Sequence, residues 1–291
     1  MLNKRTIAGT LFVAPACLLH FFVIMIPALS MIYFAFTNWN GIRKPAFIGL
    51  ANFKRMIFDD FIFHHALRNN LKWMLIMLTA PILCGLLISL IITSIKKMQM
   101  AYRLLVFIPY ILASAVSARI WVLLSSDYFG VNAALRNAGI HIFDGILWLG
   151  DPKINLYYIL FANIWAFWPF VMMLFIPALQ QVEIALYEAA TIEGANSFQK
   201  FLNVTLPGIG PTLITIIMYT VIRSFLSFDY VYLMTQGGPG FSSQLMSTWI
   251  YRNAFIDYYA GYANALALVV TAICCMIYFI FKSLQNRGHE V

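Results

Sequence analysis

Residues 181–211 read QVEIALYEAATIEGANSFQKFLNVTLPGIGP. They form a polar interruption between two long apolar runs. They carry Glu183, Glu188 and Glu193, three of the 11 acidic residues in the chain. Ala, Leu and Glu dominate from 182 to 193, which predicts a helix. Ile184, Leu186, Ala190 and Ile192 give that helix an apolar side, while Glu183 and Glu188 leave it partly charged. Gly194 follows as a C-cap, because glycine takes the left-handed conformation without steric cost. Asn196 or Ser197 can cap a second short helix running to about Val204. Pro207 and Pro211 stop it before the next apolar run. The expected unit is a helix–turn–helix outside the membrane, with a glycine corner and small alanines that permit close approach.

The flanking sequence decides the fold class. Hydrophobic residues make up 62% of the 291 positions and charged residues 10%, with a mean hydropathy of +0.81. A soluble domain carries about 25% charged residues, so the chain reads as an all-α integral membrane protein. The net charge of +8 is scattered through loops without a basic–aromatic cluster, which points to membrane lipid and not to nucleic acid. Cys17, Cys84, Cys274 and Cys275 all lie in apolar runs and read as small buried hydrophobes. None has metal-ligand spacing with a histidine.

A helix needs about 20 apolar residues to cross a bilayer. Charge-free gaps place about six spans near 7–36, 71–95, 104–124, 156–179, 212–233 and 259–281, with the polar loop 181–211 between spans four and five. The first run is too long for a cleavable signal and reads as an uncleaved span. Pro15, Pro27, Pro81, Pro109, Pro169 and Pro177 fall inside these runs and predict bent, packed helices. The sequence contains no internal repeat and no long linker, so a single domain covering 1–291 is expected. The segment 37–68 alternates aromatic and basic residues, as an interfacial amphipathic helix or two would. The segment 125–155 reads as an outer loop with a short amphipathic piece at Leu147, Trp148 and Leu149.

The polar stretch has a specific spacing. Glu188, Ala189 and Ala190 are followed by three residues, Gly194, nine residues, Val204, one residue, then Leu206 and Pro207. This resembles the EAA motif of binding-protein-dependent ABC importer permeases, with Val204 where Ile is more frequent and Glu193 where Asp is commoner. The resemblance implies that the loop is a coupling helix docking into a cleft of an ATPase subunit. It implies that Glu188 meets a basic group there and that Gly194 sets the corner. Counting basic residues leaves orientation almost tied, with the turn Lys96 to Arg103 favouring a cytoplasmic N-terminus weakly. The resemblance decides it, placing both termini in the cytoplasm of a bacterial inner membrane protein.

A second run, Phe228-Asp229-Tyr230-Val231-Tyr232-Leu233-Met234-Thr235 with Gly237, Gly238 and Pro239, resembles the carbohydrate-uptake branch of these permeases. The match is to its oligosaccharide-type first permease subunit. The implied complex has a second related permease, two ATPase subunits holding ATP and Mg, an extracytoplasmic binding protein and a carbohydrate substrate. This chain has no nucleotide site, no cofactor and no catalytic constellation of its own. Charged groups inside spans usually face a cavity or a partner. Rise arithmetic puts Arg119 about 24 Å and Asp229 about 30 Å from the inner surface, with Arg223 at about 20 Å. One arginine is therefore expected to pair with Asp229 and the other to face the pathway. Sugars bind aromatic faces and planar hydrogen-bonding groups, which nominates Trp165, Trp168, Tyr230, Tyr232 and Asn264. The glycines from 237 to 240 lack a P-loop lysine and read as a flexible outer loop that reaches the binding protein. A polyol or glycerol phosphate is an alternative cargo, since Arg119 and Arg223 suit a phosphate. An ion-coupled secondary carrier is a further alternative, which the missing repeat disfavours.

Overall fold

The computed structural model describes residues 4–95 and 97–288. Lys96, part of the basic turn used for orientation, lies outside them. Among the described residues the chain is almost wholly helical, with a single antiparallel bridge, Thr37 to Phe47. Five helices are long and apolar enough to cross a bilayer: α1 (Phe12–Ala35), α2 (Phe61–Ser94), α5 (Asn155–Gln181), α7 (Gly210–Met234) and α8 (Ala260–Ser283). Two further helices, α3 (Gln99–Ile111) and α4 (Ser114–Leu124), are together apolar enough for a sixth span but are bent by 84° at the break between them. The helix Ile184–Ile192 in the polar loop is α6.

Four expectations are corrected. The span expected over 104–124 is not one helix. Leu112 and Ala113 are extended, with ψ of 131° and 139°, and α4 is tied sideways. Its Ser114 hydroxyl donates to Asp229 Oδ2 at 2.6 Å, and Ser117 Oγ accepts from Tyr230 at 2.9 Å. The helix that carries the second span starts at Phe61, ten residues before the expected 71, with Phe63 and Ala66 buried on it. In the outer loop, the helix is Val131–Asn137, while Leu147 to Leu149 form turns. Trp148 there is held by its indole N–H, which donates to Asn132 at 2.9 Å. Cysteines 17, 84 and 275 are exposed on helix faces and not buried within the chain.

The chain divides into two compact units. One holds the N-terminal residues through Phe61 with Trp249–Ala272. The other holds Ile62–Thr248 with the residues from Ile273 on. In the first, buried Asp60 accepts from the indole of Trp249 at 2.9 Å and from the Tyr262 hydroxyl at 2.5 Å. Asn52 donates to the carbonyls of Ala35 and Thr37. Arg55 stacks 4.3 Å from the Tyr262 ring centre. The residues expected to lie at the interface from 37 onward are thus partly folded into a tertiary knot.

In the second unit α5 is the central post. Phe167, Val171, Met172 and Phe175 on it are fully buried. Gly85 of α2 lets the two helices touch: a Cβ there would sit 2.8 Å from Val171 Cγ1 and 2.9 Å from the Met172 nitrogen. Gly85→Ala is therefore expected to cost about 1–3 kcal/mol by overpacking. It should lower the thermal unfolding midpoint in detergent by several degrees; an unchanged midpoint would contradict this packing.

An exposed network ties down the outer loop. Arg136 bridges Asp127 at 2.8 Å and Asp144 at 3.1 Å, and His141 Nδ1 lies 2.7 Å from Asp144. His141 first, then Arg136, hold the Asp144 carboxyl below its ordinary range. A carboxyl depressed on folding adds stability above its unfolded pKa of about 4 and loses it as pH falls through the lower folded value. Limited proteolysis of 125–154 is expected to stay slow at pH 7 and to accelerate below about pH 4. Asp144→Asn should be cut faster already at pH 7.

Candidate functional site

Two features lie at opposite ends of α5, whose 27 residues span about 40 Å at 1.5 Å each. At one end is the polar loop. Helix α6 begins after Glu183, which is extended at ψ 129°, and ends at Glu193. Gly194 follows with φ +80°, the left-handed corner expected there. Asn196 forms a capping box with Gln199, its side chain accepting from the Gln199 N–H and its N–H donating to Gln199 Oε1. The second limb runs further than expected. It passes from Ser197–Lys200 through a π turn at Phe201–Thr205 into Leu206–Gly208. Pro207 does not stop it, because it sits in the first turn of that last piece, where no N–H is required.

Two contacts that sequence reading missed lock the limbs together. Tyr187 and Thr205 share a hydrogen bond of 2.9 Å, and Gly208 packs so closely that a Cβ would meet Val182 Cγ2 at 2.8 Å. The corner is thus rigid, yet its outer face is bare. Glu188, Ala189 and Gly194 are exposed, and Ile184, Ile192 and Phe198 are 74%, 88% and 69% exposed. Apolar side chains so displayed on a preformed corner mark an interaction surface. Ala190 and Leu206 are half-buried and Pro207 is exposed.

Towards the other end lies a cleft of about 480 Å³, a volume in the range of small-molecule sites. Arg223, Asp229 and Tyr230, all nominated from sequence, line it together with Trp73, Ser114, Asn163, Tyr219 and Phe228. Three buried polar atoms on its wall have no hydrogen-bond partner: the indole nitrogen of Trp73, Oδ1 of Asn163 and Nε of Arg223. An unsatisfied buried group costs about 1–3 kcal/mol, so three around one cleft mark a place built for something else. The Arg223 guanidinium also lies 4.7 Å from the Phe167 ring centre. Asp229 pairs with neither arginine; its carboxylate accepts from Ser114 instead. The bend before α4 is the reason, since it invalidates a depth count along a straight helix and leaves Arg119 exposed on the outer face of α4 beside Val116 and Ile120.

The other nominees lie elsewhere. Trp165 packs edge-on against Trp121 at 5.7 Å. Trp168 packs against Ile92, Met172 and Ile176. Tyr232 stacks on Phe228 at 4.9 Å. Asn264 donates to the carbonyl of Ala260, one turn back on its own helix. Trp73 and Asn163 were missed, although an amide inside an apolar span was the available signal.

The loop at 237–240 is held, not loose. Asn155 donates to the Gly238 carbonyl and to Ser242 Oγ, both at 2.7 Å. Ser243 Oγ donates to the same carbonyl at 2.9 Å. Gly237, with φ +88°, packs where a Cβ would collide with Gln244 Oε1. Only the tip, Pro239 and Gly240, is exposed.

Replacing a partnerless buried polar group by an apolar one of similar shape is neutral or stabilising. Asn163→Leu is therefore expected to leave the unfolding midpoint unchanged or raised; a fall of several degrees would show that Oδ1 is paired in the folded protein.

Comparison with known proteins agrees with this architecture. The family of binding-protein-dependent transport system inner membrane components matches residues 21–288. The sulfoquinovosyl glycerol transport system permease protein SmoG of Agrobacterium fabrum is 30% identical, over 96% of this chain and 90% of its own. The probable starch degradation products transport system permease protein AmyD of Thermoanaerobacterium thermosulfurigenes is 29% identical, over 98% of this chain and 96% of its own. A solved bacterial alginate ABC transporter, in complex with an alginate pentasaccharide-bound periplasmic protein, superposes with a TM-score of 0.85 at 22% identity, covering 98% of this chain and 96% of that one. The polar corner, the broken spans and the family match over nearly the whole sequence agree: the chain is a membrane-spanning transport subunit and belongs to the binding-protein-dependent transport system inner membrane component family.

Proposed function

We propose that this chain is the permease subunit of an ATP-driven importer for a carbohydrate, above all an oligosaccharide, delivered by an extracytoplasmic binding protein. The observation that carries the cargo is the cleft. It is lined by the aromatic residues Trp73, Tyr219 and Phe228, and buried polar atoms of Trp73, Asn163 and Arg223 in its wall have no partner within the chain. A sugar ring has an apolar face and a polar rim and suits both. Relatives that transport sulfoquinovosyl glycerol and starch degradation products support the class. Asp229 in the same cleft balances Arg223, which weighs against a phosphorylated cargo. Family membership replaces the ion-coupled carrier.

The coupling role rests on the bare corner. Two ATPase subunits, holding ATP and Mg, close and move the surface built from Glu188, Ala189, Ala190 and Gly194, with Leu206 and Pro207 in its second limb. That motion is passed through α5 and α7 to the cleft, together with a second related permease subunit that completes the pathway. The loop 181–211 and both chain termini then face the cytoplasm of a bacterial inner membrane. The loop of Gly237, Gly238 and Pro239 is on the side of the binding protein, with its exposed tip at Pro239 and Gly240 facing it. The single-domain reading fits a subunit that moves as part of one assembly. Binding of the loaded protein outside must then favour ATPase closure inside, because coupling is reciprocal.

Gly194→Pro tests the coupling role, since proline holds φ near −65° against the observed +80°. Affinity purification of wild type from native membranes should recover a P-loop ATPase, and the variant should lose it. Equal recovery with both would overturn the docking role. Asn163→Leu, in vesicles, should reduce ATP-dependent oligosaccharide uptake about tenfold or more, as loss of a desolvated sugar contact would; undiminished uptake would remove the cleft from the pathway.

A further inference from the structure

A second cleft, of about 450 Å³, lies between the end of α4, the start of α5 and the segment 125–155. Trp121 lines it from α4, Tyr157, Tyr158 and Phe161 from α5, and Phe143 and Trp148 from the loop. Its other lining residues are aliphatic, and none carries a charge.

The walls are preformed. The Trp121 ring packs edge-on against Tyr158 at 5.9 Å and against Phe161 at 5.2 Å. Trp148 lies 5.4 Å from both Phe143 and Tyr158. The Tyr158 hydroxyl donates to the Trp121 carbonyl and the Trp148 indole donates to Asn132, each at 2.9 Å. Two of the polar groups in the walls are thus used within the chain, and a third, the Trp121 indole nitrogen, is buried. A sugar finds little to bond there, which separates this hollow from the first cleft.

Its surroundings name the occupant. Tyr157 and Phe161 are 47% and 55% exposed, and Leu123, beside the cleft on α4, is 61% exposed. The hollow therefore merges with an apolar surface of α4 and α5, which in a membrane-spanning chain meets hydrocarbon. Trp and Tyr gather at the end of a span, as they do where bilayer meets water. The α5 wall, from Ile154 to Phe161, extends about 10 Å along the helix axis, so an unbranched chain can lie lengthwise in it. Lipid tails are as apolar as these side chains, so transfer from the bilayer alone would not hold one. Close packing against fixed rings would, because an unfilled hollow forfeits those dispersion contacts.

We propose that this cleft holds one acyl chain of a bilayer phospholipid, taken from the leaflet on the side away from the polar corner. The chain fills the space between the aromatic walls and pins α4, whose Ser114 lines the first cleft, against the start of α5. It is held whatever the cargo of the importer.

The test uses a phosphatidylcholine with a photoactivatable diazirine on one acyl chain. It is applied to the chain alone and to the complex isolated from native membranes, both in lipid nanodiscs. Labelling is mapped by mass spectrometry and compared, per residue, with α1, whose Phe12 and Leu19 are exposed but form no such hollow. Peptides carrying Trp121 and Tyr157–Phe161 should be labelled about threefold or more above α1 in both preparations. Val131→Trp, which fills the cleft from its loop side, should bring that ratio down to about one. The wild-type ratio decides alone if the variant does not assemble. A wild-type ratio near one overturns the site, as does a folded Val131→Trp chain that keeps the enrichment. Enrichment in the lone chain that vanishes in the complex assigns the hollow to another subunit and overturns the lipid. Labelling displaced by free palmitate but not by excess unlabelled phospholipid overturns the phospholipid as its source.

Discussion

Backbone that is not helical must find partners inside the protein wherever lipid excludes water. In this chain three asparagines on two long helices meet that need. Asn70 donates to the Ser224 carbonyl and accepts from the Met246 N–H, both at 2.8 Å. Asn69 takes the carbonyls of Ser242 and Gln244, and Asn155 takes that of Gly238. These amides satisfy carbonyls and an N–H of the irregular segment between Thr235 and Met246. The break in α7 near Leu226 to Phe228 forms part of the first cleft.

The same economy explains the bent crossing of α3 and α4. The break lays α4 across the Asp229–Met234 helix, where Ser114 and Ser117 meet Asp229 and Tyr230. Among the described residues Arg223 has no carboxylate partner, and its buried Nε has no hydrogen-bond partner within the chain. Leaving that nitrogen, Asn163 Oδ1 and the Trp73 indole nitrogen unpaired is costly. The arrangement becomes favourable when a ligand with several hydroxyls supplies the missing bonds. The polar corner works by the opposite logic. It is rigid within, through Tyr187 and Thr205, and apolar without, through Ile184, Ile192 and Phe198.

Much of this was legible in the sequence. Charge-free runs located the crossings, because the bilayer forbids charge over that length. Glycine at 194 and asparagine at 196 announced the corner, because local backbone chemistry alone decides such caps. Arg223, Asp229 and Tyr230 could be nominated because ionisable groups in apolar runs are rare. What stayed hidden was tertiary. The bend at Leu112 and Ala113 has no proline at the break and depends on hydroxyls meeting residues more than a hundred positions away. Trp73 and Asn163 looked like ordinary members of greasy helices, and only the fold shows that they share a wall with Arg223. Trp165, Trp168 and Asn264 had suitable chemistry, but they do not line that cleft.

The central claim is that the corner and the first cleft are two ends of one switch. It is tested most directly by thiol labelling at Met218→Cys, a cleft position, with Cys17, Cys84, Cys274 and Cys275 replaced by alanine. The importer would be assembled in oriented vesicles and probed with a membrane-impermeant reagent, with and without vanadate-trapped ATP. The account predicts that trapping raises labelling from the outer side and lowers it from the inner side. Labelling indifferent to nucleotide on both sides would contradict it.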